Sequence, residues 1–293
     1  MAYMLLTLAA CFWGGNYVVG HILMANADPI VLSEGRWAIT ALLLFLLYHK
    51  QVINDFSRIR KSIKSTLLLS LFGQVLFPVT LYIGLQYTTS LNAAIYMSAT
   101  PAMVLAINKL VFNEHISKNN ILGVLLSSLG VIYLIFKGDL NHIEMLKNLN
   151  IGDLWAMGSA ISWAFYCSFL RKKDKTIPNN VFVTVSSLLG ALILLPICIL
   201  YFIFFPVTNF SPYWQSNFIL GLLYLIFFPS WLAYLFWNKG IMEIGATRGE
   251  IYTHLIPLSG GIFSMIFLNV SISWFHIISA ILIMMGIILC SKK

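Results

Sequence analysis

Long runs of apolar, uncharged residues recur along nearly the whole chain, and they constrain its fold more than any other feature. Of the 293 residues, 59% are hydrophobic and only 10% are charged, whereas about 25% are charged in a typical soluble domain. A helix needs about 20 predominantly apolar residues to cross a bilayer. The sequence therefore predicts an all-α polytopic membrane protein with ten transmembrane helices and no room for a soluble domain. The ten windows are roughly 3–23, 29–49, 66–87, 91–112, 119–136, 152–170, 180–204, 216–237, 248–268 and 272–290.

The basic residues are distributed very unevenly between the two sides of this predicted bundle. If the N-terminus is cytoplasmic, the cytoplasmic segments hold all of the 18 Lys and Arg residues except Arg36, Lys137 and Lys147. Such an excess follows the positive-inside rule. The formal net charge of +8 is thus a topology signal, and we expect no nucleic-acid partner. The expected location is a bacterial inner membrane, with both termini in the cytoplasm and lipid around the bundle.

The chain repeats parts of its own sequence in its two halves. The stretch FWGGNYVVG, with Trp13, has a counterpart in SAISWAFY, with Trp163, 150 positions later. A shift of 156 aligns YIGLQYTTSLNAAIYMSATPAM with NKGIMEIGATRGEIYTHLIPLS. Each half, 1–137 and 150–293, holds five predicted spans. Because five is odd, the second half must enter the membrane from the opposite side, which predicts two inverted five-helix repeats of the kind found in transporters. The pairs at the 156-residue shift include Gly84 with Gly240, Tyr96 with Tyr252 and Pro101 with Pro257.

Three motifs resemble the drug/metabolite transporter superfamily, and its EamA-type branch above all: FWGGNYVVG, EGRWAITALLL and LNAAIYMSATPAMVLAINKLVFNEHIS. The resemblance covers nearly the whole chain. It implies a ten-helix exporter or importer of small metabolites such as amino acids, with a cavity between the halves. One position departs from the repeat, because Glu114 of the first half corresponds to Val270 in the second.

Polar and aromatic residues on helix faces are the candidates for a substrate site. Trp13, Asn16 and Tyr17 follow the i, i+3, i+4 spacing of one helical face. The matching face of the second half carries Trp163 and Tyr166. A packing face with one satisfied Asn is the alternative interpretation. The residues predicted to bind substrate are Trp13, Asn16, Tyr17, Arg36, Tyr82, Tyr96, Trp163, Tyr166 and Tyr252.

Ionisable residues within membrane spans are costly, and they are functional candidates by default. Arg36 lies seven residues past Pro29, about 10 Å into its helix at 1.5 Å per residue. There it needs a partner, a water-filled cavity or an anionic substrate group. Glu34, two residues away, points to a different face and is not expected to neutralise it.

The predicted coupling or gating residues are Glu34, Glu250, His254, Pro101 and Pro257. Glu250 and His254 are spaced i, i+4 and would share one face of an α-helix. Two alternatives remain open: Glu250 at the cytoplasmic mouth, paired with Arg248 or Lys239, and His254 as a core histidine bonded to a backbone carbonyl. Each proline removes a backbone hydrogen bond and is expected to bend its helix.

These patterns favour a secondary transporter, an exporter of small polar metabolites such as amino acids that works by alternating access. Protons are a candidate coupling ion. No HExxH, GxSxG or glycine-rich phosphate motif occurs, and we expect no enzymatic activity, cofactor or metal. An intramembrane lipid-modifying enzyme would need clustered His, Asp or Glu at one leaflet. A passive channel would need polar stripes on most helices, whereas here they concentrate in spans one, four, six and nine.

Overall fold

A computed structural model of the chain describes residues 1–139, 150–206, 209–268 and 273–291. All regular secondary structure in these ranges is helical. π-helical turns occupy Leu71–Leu76 and Ile226–Leu232, and 3₁₀ turns occupy Leu170–Lys172, Ser211–Trp214 and Glu250–His254. The α-helices are α1 (Ala2–Met24), α2 (Pro29–Asn54), α3 (Phe56–Lys61), α4 (Ile63–Ser70), α5 (Phe77–Tyr87), α6 (Ser90–Met97), α7 (Thr100–Phe112), α8 (Lys118–Ile135), α9 (Ile151–Phe169), α10 (Asn179–Phe204), α11 (Ser216–Leu225), α12 (Ala233–Ile244), α13 (Ala246–Gly249), α14 (Leu255–Leu268) and α15 (Trp274–Ser291).

Eight helical segments of the described chain are long and apolar enough to cross a membrane. Helix α9 and the segment 246–268 are helical as well, but they are not among these eight. Helix α9 buries several small polar residues, among them Ser159, Ser162 and Ser168. These polar side chains keep α9 out of the eight most apolar segments, although it still exposes Ile151, Leu154 and Ile161. The eight segments are Ala2–Met24, Pro29–Asn54, Ile63–Tyr87, Ile95–Phe112, Lys118–Ile135, Asn179–Phe204, Ser216–Ile244 and Trp274–Ser291.

The two halves of the chain pack against each other in a reciprocal pattern. Helix α1 packs mainly against α12 and α14 of the second half, while α9 packs mainly against α5, α6 and α7 of the first. Helices α2 and α10 pack together, and so do α8 and α15. At the 150- and 156-residue shifts, exchanging the halves turns each of these contacts into another member of the same set.

Two equivalent glycines repeat this reciprocity at the atomic level. A Cβ atom at Gly84 would lie 3.0 Å from the carbonyl oxygen of Gly152, on α9. A Cβ atom at Gly240 would lie 3.3 Å from the carbonyl oxygen of Ala2, on α1. Gly152 and Ala2 are themselves equivalent at the 150-residue shift. Both glycines therefore let equivalent helices approach closely, as small residues do in membrane bundles.

The two prolines predicted to bend helices lie instead where helices begin. Helix α6 ends at Met97, and Pro101 occupies the first turn of α7, where its missing N–H costs no helical hydrogen bond. The hydroxyl of Thr100 donates to the Met97 carbonyl at 2.8 Å. Pro257 is the third residue of α14 and follows the 3₁₀ turn Glu250–His254.

This 3₁₀ turn also changes the expected relation between its two ionisable residues. Successive residues of a 3₁₀ helix are rotated by about 120°, so positions i and i+4 no longer superimpose. Glu250 and His254 accordingly contact different neighbours, and the prediction that they share one face is wrong.

Candidate functional site

Arg36 owes its depth in the bundle to the start of α2. The Asp28 side chain accepts hydrogen bonds from the backbone N–H groups of Ile30 and Val31 at 2.8 and 3.2 Å. With Pro29 in the first turn, this N-cap fixes where the helix begins. Arg36 follows two turns later and is only 1% exposed.

Side chains from three other helical segments hold the Arg36 guanidinium. Its Nη1 donates to Asn16 Oδ1 at 3.1 Å and to the Tyr82 hydroxyl at 2.6 Å. Its Nε donates to the hydroxyl of Ser230. The guanidinium also lies 5.2 Å from the ring centroid of Trp37, within cation–π range. Arg36 is thus fixed in one orientation by α1, α5 and the second π-helical turn.

A proline in that π-helical turn explains how Ser230 can serve Arg36. Pro229 has no N–H and cannot donate the α-helical hydrogen bond to the Leu225 carbonyl. The Ser230 hydroxyl donates to the Leu225 carbonyl at 2.7 Å and keeps its lone pairs for the Arg36 Nε. The Pro229 carbonyl accepts the indole N–H of Trp13 at 3.1 Å. π-bulges often occur at functional sites, and here the bulge supplies two hydrogen-bonding groups to the centre of the bundle.

Arg36 has hydrogen bonds but no counter-ion within the described chain. The salt bridges there join Arg58 to Asp55 and Arg171 to Glu114. Glu34 is half-buried and forms none, in agreement with the argument that it lies on another face of α2. Arg36 is therefore a buried cation whose charge no carboxylate of the described ranges neutralises.

A packed layer of aromatic rings adjoins Arg36 at the centre of the bundle. Trp13 and Trp163, equivalent in the two halves, meet edge to face at 4.8 Å between ring centroids. Trp237 lies 5.0 Å from Trp13, and Tyr234 lies 5.8 Å from Trp163. Tyr234 also contacts Trp37, at 5.3 Å, and so links the layer to the Arg36 side.

Glu250 lies at another edge of the same aromatic layer. It is 1% exposed, and neither of its carboxylate oxygens has a hydrogen-bond partner among the described residues. Its polar neighbours include Cys167, Thr100 and Trp163, and within the described ranges the indole N–H of Trp163 makes no geometrically acceptable hydrogen bond. No salt bridge to Arg248 or Lys239 forms in this part of the structure, so Glu250 is a buried residue and not one paired at the mouth.

His254 belongs to a separate network. Its Nε2 lies 2.8 Å from the Ser98 carbonyl oxygen, and its Nδ1 lies 2.7 Å from the Ser127 hydroxyl. A carbonyl only accepts, so Nε2 carries a proton and donates to Ser98. This is the core histidine bonded to a backbone carbonyl that the sequence left open as an alternative.

Two Asn–Tyr pairs repeat across the halves with exchanged roles. Tyr82 donates to Asn16 Oδ1 at 3.2 Å, and Tyr166 donates to Asn238 Oδ1 at 2.7 Å. Asn16 is equivalent to Tyr166, and Tyr82 is equivalent to Asn238. In both pairs the amide nitrogen of the Asn is buried and has no partner in the described structure.

The structure brings most, but not all, of the predicted substrate residues together around Arg36 and the aromatic layer, in what we call the central cluster. Tyr17 is buried beside this cluster, and its hydroxyl has no hydrogen-bond partner among the residues that the structure describes. Tyr96 is only half-buried, and Tyr252 stacks on Tyr3 near the start of α1, at 6.0 Å. These two lie outside the cluster. The predicted residues that it contains are Trp13, Asn16, Arg36, Tyr82, Trp163 and Tyr166.

Several central residues were missed from the sequence: Trp37, Ser230, Tyr234, Trp237 and Asn238. Asn238 had a signal, because it aligns with Tyr82 in the first column of the 156-residue repeat, but the residue types differ. Trp37 directly follows Arg36. The hydrogen bonds of Ser230 depend on the π-helical turn, which no hydrophobic pattern reports.

No group of three His, Cys, Asp or Glu side chains within the described ranges could hold a metal ion. The chemistry available at the centre is instead a fixed cation, an unpaired carboxylate and aromatic faces between them.

Comparison with known proteins identifies similar chains over the full length. The model of the EamA-like transporter family matches residues 1–136 and 150–292. A Bacillus subtilis protein named uncharacterized transporter YyaM is 27% identical, over 99% of this chain and 93% of its own length. An uncharacterized transporter of Archaeoglobus fulgidus is 28% identical, over 99% and 97%. The uncharacterized inner membrane transporter YicL of Salmonella typhimurium is 23% identical, over 97% and 93%. A solved crystal structure shares the fold with a TM-score of 0.72 at 15% identity, covering 98% of this chain and 95% of the other.

Proposed function

Because the chain belongs to the EamA-like transporter family, we propose that it is a secondary transporter for small zwitterionic metabolites such as amino acids. In this proposal ten membrane spans form two inverted five-helix repeats. The central cluster binds the substrate and opens alternately to either side of the membrane.

One observation carries the assignment of substrate class: Arg36 and Glu250 are both buried, and neither has a salt-bridge partner in the described structure. An uncompensated buried charge is strongly destabilising, and polar groups without partners in a native protein call for an explanation. A zwitterion supplies one. Its carboxylate would pair with Arg36, its ammonium group would pair with Glu250, and its apolar part would contact the Trp13 and Trp163 rings.

The reciprocal contacts between the halves support alternating access. Trp13 contacts its own equivalent, Trp163, and His254 bonds to the carbonyl of its own equivalent, Ser98. Residues that touch their own counterparts lie beside a two-fold axis, which here would lie in the membrane plane. Exchanging the conformations of two such halves gives a second state that is open to the opposite side.

The proposal also covers the direction of transport and the membrane in which the protein lies. The charge bias supports cytoplasmic termini, and the Salmonella relative is named an inner membrane transporter. We assign export from the cytoplasm as the physiological direction, with protons as the coupling ion and Glu250 as the carboxylate that exchanges them.

Counterflow in proteoliposomes tests this function. The purified protein should accumulate labelled amino acids from a panel that also contains amines and carboxylates bearing a single charge. Zwitterions should give the strongest signal, and an imposed pH gradient should change the rate. Equal signals from all three classes, or none beyond that of protein-free liposomes, would contradict the proposal.

A further inference from the structure

Glu114, the acidic residue without a counterpart in the second half, joins three helix ends on one face of the bundle. One of its carboxylate oxygens accepts from the Arg171 guanidinium, and the other accepts from the Thr247 hydroxyl. Thr247 in turn accepts a hydrogen bond from Asn108 Nδ2 at 2.9 Å. Glu114 follows α7, Arg171 follows α9, and Thr247 lies on α13. The carboxylate thus ties the first half to two separate elements of the second.

The contacts around Arg171 make this tie more than a surface ion pair. The guanidinium carbon lies 4.3 Å from the ring centroid of Phe112, and its Nε donates to the Ser168 carbonyl at 3.2 Å. Exposed pairs typically contribute little because both side chains are free to move. Here both charged groups are only about one-third exposed, and each has further partners that restrict it.

A small cavity lies directly behind this tie. It has a volume of about 170 Å³ and is lined by Arg171 and Gly245, with Cys167 among its deepest residues. Cys167 is fully buried and lies next to Glu250. A break in the helix sits beside the cavity, since Gly245 separates α12 from α13 with a φ of +85°. That backbone conformation favours glycine.

The equivalent positions on the other face carry different chemistry. Glu114, Arg171 and Thr247 correspond to Val270, His21 and Leu91. An ionic tie of this composition can therefore form on only one side of the bundle, although the repeat relates both sides.

We propose that Glu114, Arg171 and Thr247 form the cytoplasmic gate of the transport path, and that opening it joins the cytoplasm to Glu250 through the cavity at Cys167. The assignment of this face to the cytoplasm and of Glu250 to the path rests on the proposed function. When the gate is closed, the halves are held together at this face. When it opens, rotation at Gly245 separates α13 from α9.

Labelling of the native Cys167 tests the gate without any substrate. Inside-out membrane vesicles are treated with a charged, membrane-impermeant thiol reagent, and modification of the peptide containing Cys167 is followed by mass spectrometry. Glu114→Gln keeps the shape of the side chain but removes its charge. It should raise the labelling rate at least about fivefold, as expected for loss of a charge-assisted hydrogen bond. Thr247→Val should act in the same direction.

Three comparisons separate gate opening from general loosening. Glu243→Gln removes an exposed carboxylate on the same face that forms no salt bridge in the described structure, and it should leave the rate unchanged. Cys198, in α10, reports unfolding and should stay unmodified in every variant. The exchange Glu114→Arg with Arg171→Glu should bring the rate back towards that of the original protein.

An unchanged Cys167 rate in Glu114→Gln, or an equal increase in Glu243→Gln, would overturn the gate. The readout uses no transported molecule, so its outcome is independent of the counterflow result. Altered labelling without counterflow would show that Glu114 controls access to Cys167 and would reject the transport function. Counterflow without altered labelling would do the reverse.

Discussion

The two buried charges of the central cluster are held in opposite ways. Arg36 donates to Asn16, Tyr82 and Ser230 and lies against Trp37. Glu250 is as deeply buried, yet neither of its oxygens has a hydrogen-bond partner among the described residues. Arg36 is therefore an oriented, preorganised group, and Glu250 is an incomplete one.

This difference assigns the two residues different tasks. A preorganised cation does not need to be rearranged when an anionic group arrives, so more of the interaction energy appears as affinity. A carboxylate without partners gains most from a ligand cation or a proton, because either one removes an uncompensated buried charge. Arg36 would then hold the substrate, whereas Glu250 would sense whether the site is filled.

The largest effect is expected from removing the guanidinium of Arg36. Arg36→Ala should lower the transport rate for every substrate that carries a carboxylate by about 100-fold, because it removes one partner of the proposed ion pair with the substrate, and such a loss costs roughly 2–5 kcal/mol. Arg36→Lys should retain only part of the activity, since an ammonium group cannot reproduce the planar set of donors. Initial rates in proteoliposomes measure both. Arg58→Ala, which removes an exposed cation, is the control, and an equal loss there would remove Arg36 from the site.

The second-largest effect is expected from a substitution at the close contact between α1 and α14, the helix that follows the Glu250–His254 turn. A Cβ atom at Gly14 of α1 would lie 2.1 Å from Ser259 Oγ and 2.8 Å from the Gly260 nitrogen, both on α14. Gly14→Ala should therefore force α1 and α14 apart and reduce stability by about 1–3 kcal/mol, seen as a lower melting temperature in detergent. Gly35→Ala, where an added Cβ would meet nothing within 4 Å, should change little. Equal melting temperatures for the two variants would show that the close approach of α1 and α14 is unimportant.

Removing the carboxylate of Glu250 should weaken binding of one class of substrate selectively. Glu250→Gln should reduce affinity for zwitterions about tenfold, as for the loss of one hydrogen bond to a charged group, and leave carboxylates without an amine nearly unchanged. Its melting temperature should not fall, because the substitution removes a buried carboxylate that has no hydrogen-bond partner in the described part of the chain. Competition binding and thermal unfolding measure these effects, with Glu243→Gln as the exposed control. A loss shared equally by amine-free carboxylates would place Glu250 outside the substrate site.

The smallest effect tests how Arg36 is oriented. Tyr82→Phe removes one acceptor of the Arg36 Nη1 and one donor to Asn16. We expect about a fivefold loss of affinity, corresponding to one net hydrogen bond of ~1 kcal/mol. Tyr48→Phe is the matched control, because the Tyr48 hydroxyl makes no hydrogen bond in the described structure. Unaltered affinity in Tyr82→Phe would mean that Asn16 and Ser230 suffice to orient the guanidinium.

The sequence was informative about features that depend on the spacing of apolar residues and on the positions of charges. Arg36 could be identified because a cation deep in a membrane span is energetically unfavourable. Trp13 and Trp163 could be identified because the two halves repeat the tryptophan. The helix boundaries agree with the predicted windows to within a few residues over most of the chain.

Local irregularities of the helix backbone could not be predicted from the pattern of apolar residues. The π-helical turn that presents Ser230 and the 3₁₀ turn that separates Glu250 from His254 both shift side chains by a fraction of a turn. Such shifts arise from tertiary packing and leave the apolar period intact. For the same reason Tyr252, a repeat partner of Tyr96, could be predicted as substrate-lining although it stacks on Tyr3 instead.

Binding of three related ligands to the purified protein shows whether Arg36 and Glu250 recognise one substrate together. One is a zwitterionic amino acid, one is its amide without a carboxylate, and one is the matching acid without an amine. We expect the zwitterion to bind most tightly. Glu250→Gln should abolish its higher affinity relative to the acid, and Arg36→Ala should abolish its higher affinity relative to the amide. Equal affinity for all three ligands, unchanged by either substitution, would show that Arg36 and Glu250 do not form one binding site.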